Sequence, residues 1–127
     1  MVLDSIAGLN KIHMRLSEFL RSEQRLIRLP ADVSGSPPPH NELLPVLEVE
    51  KTEGPIYVSV STERALRITG VVDNLRVYSE FFRFRDDEDG SHHHPEYVEL
   101  SGYIRSGTLS VVIEADTAYT EEFRDEM

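Results

Sequence analysis

Cysteine is absent from this chain of 127 residues, which removes disulfide frameworks and thiolate metal sites and leaves no need of an oxidising compartment. Long apolar runs are missing too. No stretch approaches the roughly 20 apolar residues of a membrane-spanning helix. The opening Met1-Val2-Leu3-Asp4 lacks the basic region and continuous apolar segment of a secretory signal. The expected setting is the cytoplasm, without membrane contact. Positive charge is also scarce: 13 Lys and Arg stand against 23 Asp and Glu, a net charge of −10. Such a field repels phosphate backbones and anionic lipid, so direct nucleic-acid binding is not expected, whereas a basic protein would be drawn in. The deficit is uneven. Met1 to Leu29 holds five basic and three acidic residues, leaving 8 basic and 20 acidic in the remainder, a net of −12.

What is present suits one domain with a modest core. From Asp4 onward, Ile6, Leu9, Ile12, Leu16, Phe19, Leu20, Leu26 and Ile27 recur at three- and four-residue spacing, with Lys11, Arg15, Glu18, Arg21 and Arg25 mostly between them. This predicts an amphipathic helix within residues 1–29, capped by Asp4 or Ser5 and ended before Pro30. Its apolar face either covers the rest of the fold or docks on a neighbour, and a small core favours the first. Residues 30–45 contain Ser34-Gly35-Ser36 followed by Pro37-Pro38-Pro39, which reads as a stiff polar linker.

Residues 46–116 read as an α+β core. Val46–Glu50, Ile56–Ser61 and Leu66–Thr69 alternate apolar with polar, as strands with one buried face do. Gly70 closes the third, and Val71–Phe84 turns to helical spacing. His94–Leu100 and Leu109–Ala115 are further strand candidates, with a turn at Ser106-Gly107. Residues 117–127 form an acidic tail. The architecture expected is a small mixed or antiparallel sheet of four to five strands packed against one or two helices.

Chemistry concentrates in Asp86-Asp87-Glu88-Asp89-Gly90-Ser91-His92-His93-His94-Pro95-Glu96. On an extended strand His92 and His94 share a face and His93 takes the other, so two imidazoles and a carboxylate could meet zinc or nickel. The sequence identifies no third ligand. A calcium loop fails, because aligning Gly90 with the loop glycine puts Arg85 where a carboxylate is required. No Gly-x-Ser-x-Gly, phosphate-cradling glycine loop or helical His-Glu-x-x-His occurs, and His13 and His40 stand apart. Asp73 is a possible partner for a histidine. In the cluster Tyr78, Phe81, Phe82 and Phe84, core packing accounts for the first three, and Phe84 is left for another role. The expectation is a binding protein that is not an enzyme and carries no cofactor.

From about Ile56 to Asp116 the chain resembles the thirty-second family of immunity proteins from bacterial polymorphic-toxin systems. The resemblance lies in Leu66-Arg67-Ile68-Thr69-Gly70, the Leu75–Phe82 helix, His92-His93-His94-Pro95-Glu96, and Ser106-Gly107-Thr108-Leu109-Ser110-Val111-Val112-Ile113-Glu114. It implies a small cytoplasmic domain that binds and neutralises a cognate toxin, with His92 and His94 as a family hallmark and no catalytic residues. Together with the charge, it makes Asp86, Asp87, Glu88, Asp89, His92, His94 and Glu96 the expected partner-binding residues. Glu121, Glu122, Asp125 and Glu126 of the tail are secondary candidates, and a homodimer is a further possibility. The alternatives are a metal-dependent sensor or enzyme built on His92 and His94, or a general interaction module that docks through the first helix.

Overall fold

The computed structural model describes residues 2–34, 43–61, 65–95, 102–105, 108 and 111–115. Its elements run β1 (Val2–Asp4), α1 (Ile6–Arg21), β2 (Leu26–Ser34), β3 (Leu43–Lys51), β4 (Tyr57–Val60), β5 (Ala65–Gly70), α2 (Val72–Ser79), a 3-10 turn (Glu80–Phe82), β6 (His92–His93) and β7 (Ile113–Ala115). The fold class is α+β, a mixed sheet with two helices. The strands lie in the order β4-β5-β3-β2-β1-β7-β6. Most of the pairing belongs to the four strands β4-β5-β3-β2, in which β3 and β5 are parallel and the other neighbours antiparallel. The short strands β1, β7 and β6 join them through one pair, Val2 with Val33.

Register explains why one face is buried. Leu29 pairs with Leu47, Leu47 with Leu66, Val49 with Ile68 and Val58 with Ile68, so one face carries an unbroken apolar surface. The opposite face carries Arg28, Glu48, Arg67 and Ser59 in one row and Leu26, Glu50, Thr69 and Tyr57 in the next. Both helices lie on the apolar face: Leu16 and Leu20 of α1 and Leu75 and Tyr78 of α2 close over Val49 and Ile68. Leu9, Ile12, Leu16, Phe19 and Leu20 belong to the same buried cluster as the strands. The first helix therefore packs on the core.

The helix predicted to Leu29 ends at Arg21. Ser5 caps its start, accepting from the Gly8 N–H at 3.0 Å, and Ser22 ends it, its hydroxyl and its N–H both donating to the Phe19 carbonyl. Leu26, Ile27 and Leu29 suit a strand as well as a helix, and seven register pairs with β3 settle the matter in favour of β2. Residues 30–34 and 43–45 are accordingly strand and not linker. Pro30, which has no N–H to give a ladder, sits at a register irregularity between Pro30 and Val33. Residues 35–42 lie outside the described residues.

Three further boundaries move. The helix predicted over Val71–Phe84 is α2 followed by the 3-10 turn. His94 and Pro95 of the predicted strand His94–Leu100 are not strand, which instead precedes them as β6, and residues 96–100 lie outside the described residues. Of the predicted Leu109–Ala115, Ile113–Ala115 is strand, Val111 and Val112 are not, and residues 109–110 lie outside the described residues. β1 was not expected. Gly70 ends β5 where a Cβ would stand 2.8 Å from Cδ1 of the fully buried Ile56. Among the described residues no helix is long and apolar enough to cross a membrane.

Candidate functional site

The acidic stretch forms two turns between the 3-10 segment and β6, at 86–87 and 89–90. Its base is tied to α1. The Asn10 side chain donates to the Phe84 carbonyl at 2.9 Å and accepts from the Phe84 N–H at 2.8 Å, so one amide fills both backbone groups of a residue 74 positions away. Phe84 is buried, and its ring stacks on His93 at 4.1 Å and 9°. The aromatic left over by the periodicity is therefore a core residue, and Phe81 is the half-exposed member of the group. His93 faces inward, opposite His92, and its Nδ1 donates to the Phe81 carbonyl at 2.8 Å.

Glu88 turns back on this base. Its Oε1 accepts from the Arg85 N–H at 2.9 Å and from Arg85 Nε at 3.1 Å, while Oε2 lies 3.7 Å from His93 Nε2. The Arg85 backbone N–H is the chief cause holding the Glu88 carboxyl below the usual range. The Arg85 charge, the Arg85 side-chain bond and His93 add to it, and partial burial pulls the other way. On the far side, Gly90 N–H donates to Ala115 O at 2.7 Å and Ala115 N–H to Ser91 O at 3.0 Å, fastening the loop to β7. Gly90 has φ 85°, a left-handed conformation that a side chain would strain.

The predicted partner-binding residues thus divide. Asp86, Asp87 and Asp89 are exposed, with Asp87 3.6 Å from Arg85 Nε. Glu88 is spent on the loop's own structure. His92 and His94 lie together, their rings edge to face at 5.0 Å. His92 is exposed and His94 half-buried. Glu96, Glu121, Glu122, Asp125 and Glu126 lie outside the described residues. Among the described residues no group of three or more His, Asp or Glu is placed to hold a metal ion. His13, read as standing apart, has its Nε2 3.3 Å from Glu80 Oε1, and Asp73 accepts from Arg76 at 3.3 Å. His40 is outside the described residues.

Sequence reasoning missed Asn10 and the inward role of His93. Asn10 left a faint signal, a poor helix former one position from the buried Leu9. Arg85 left none.

No family model, curated protein or solved structure matches this chain.

Proposed function

We propose that this protein acts by contact, using the Asp86–Asp89 loop to cover a basic surface on a protein partner. The partner fits the description of a cognate bacterial toxin, met in the cytoplasm and blocked by occlusion of its substrate-binding region without turnover by this chain. One observation carries the reading: a loop with three exposed aspartates is held at its base by Asn10, at its centre by the Arg85–Glu88 contacts and at its end by β7. A loop fixed before encounter loses little conformational freedom on binding, so its charges are already aimed. The net charge of −10 supplies long-range attraction for a basic surface and repels nucleic acid.

The test is the association rate with the product of the adjacent upstream gene, measured by surface plasmon resonance at two salt concentrations. Converting Asp86, Asp87 and Asp89 together to Asn should slow association by about tenfold or more at low salt and flatten its salt dependence. Unchanged kinetics in the folded triple variant would remove the loop from the interface.

A further inference from the structure

The core uses one side of α1 and leaves the other to solvent. Leu9, Ile12, Leu16, Phe19 and Leu20 are the buried side. Ala7, Lys11, Met14, Glu18 and Arg21 follow one another at alternating spacings of four and three, so they form a single stripe on the opposite side, and all five are exposed. Met14, a large apolar side chain 56% exposed, stands at the middle of the stripe. Among the described residues, Lys11, Arg15, Glu18 and Arg21 take part in no ion pair, whereas Arg67, Arg76 and Arg85 each hold a carboxylate. Lys11 and Arg15, one turn apart, repel each other.

We propose that this stripe is a self-association surface, on which α1 of a second copy of the chain packs antiparallel about a two-fold axis through Met14. Read backwards, the stripe is its own complement: Met14 meets the partner's Met14, Lys11 comes beside the partner's Glu18, and small Ala7 receives the partner's Arg21. Symmetry makes the Lys11–Glu18 pair twice. A parallel arrangement would set Lys11 on Lys11 and Arg21 on Arg21, which charge repulsion opposes. The wider charge distribution has the same sense. Asn10 fastens the acidic loop beside the first half of the helix, while Arg15 and Arg21 are exposed in its second half and Arg25 lies beyond it. Reversing one helix against the other turns each acidic loop towards the arginine-bearing end of its partner. One helix stripe is smaller than the roughly 800 Å² per partner of a standard interface, so the dimer is weak, reversible and sensitive to salt. The inference concerns the protein alone and stands or falls apart from any binding of a basic protein to the loop.

Sedimentation equilibrium of the purified protein, with no other component, should show the mean mass rising with concentration at low salt and falling back at high salt. Lys11→Glu and Glu18→Lys should each weaken association by about tenfold or more, because each sets like charges together twice. Making both changes in one chain should restore it. Because the chain has no cysteine, Met14→Cys supplies a single thiol, and mild oxidation should yield a disulfide-linked dimer. Ala7→Cys should cross-link only when mixed with Arg21→Cys. A wild type that stays monomeric at its highest soluble concentration overturns the proposal, as does a folded double exchange that fails to recover. So does Met14→Cys cross-linking no faster than Ala7→Cys alone.

Discussion

Asp4 and Gly8 show how much one residue can decide. Asp4 is a buried carboxylate, 4% exposed, accepting the Ser5 N–H at 2.7 Å, and it fills the space where a Cβ on Gly8 would stand. Alanine is worth about 1 kcal/mol over glycine in a helix interior, so propensity alone makes Gly8→Ala stabilising. Here the methyl would displace the carboxylate from its bond inside the fold, a loss of about 1–3 kcal/mol or more for a charged group. Net destabilisation is the expected result in urea unfolding, and a rise in the midpoint would contradict the geometry. Nothing in the sequence marks this contact between Asp4 and Gly8.

Among the elements, the loop between the 3-10 turn and β6 has a pH dependence whose sign follows from Glu88. Its folded-state carboxyl titrates below the value of about 4.3 found in an unfolded chain. The stabilisation it gives is therefore full above that value and is lost as pH falls through the lowered folded value. Thermal unfolding of wild type and Glu88→Gln should differ at pH 7, and the gap should close as the pH drops below about 4. A gap independent of pH would mean the contact is not ionic. The elements themselves were partly legible. The predicted strands Val46–Glu50, Ile56–Ser61 and Leu66–Thr69 match β3, β4 and β5 to within three residues at each end, because alternation is a local property. The helix overran into Leu26–Leu29 because four apolar-rich residues carry too short a pattern to separate the two periods.

Across the whole molecule, α1 and β2 are integral to the core. Five buried side chains of α1 represent on the order of 10 kcal/mol of apolar burial, which matches the entire net stability of an ordinary domain. Removing residues 1–29 should therefore abolish the cooperative thermal transition followed by near-ultraviolet circular dichroism. A truncated chain that still melted cooperatively would restore the picture of a separable docking arm. The charge asymmetry also acts at this scale. Arg15, Arg21 and Arg25 are exposed around the end of α1 and the start of β2, whereas Asn10 ties the acidic loop to the helix's first half.

The sequence by itself determined the α+β class, the strand and helix content of residues 46–82 and the acidic character, because periodicity and charge are properties of neighbouring residues. It also marked the Asp86–Glu96 stretch as the place where chemistry gathers. Only the tertiary structure decided which of those groups face outward. Glu88 and His93 are engaged by Arg85, Phe81 and Phe84, whereas Asp86, Asp87 and Asp89 stay exposed. The pairing of His92 with Glu114 and the clasp of Asn10 on Phe84 span 22 and 74 residues. Such contacts depend on strand order and helix placement, which are set by the packing of the whole chain and leave no periodic trace in any one segment.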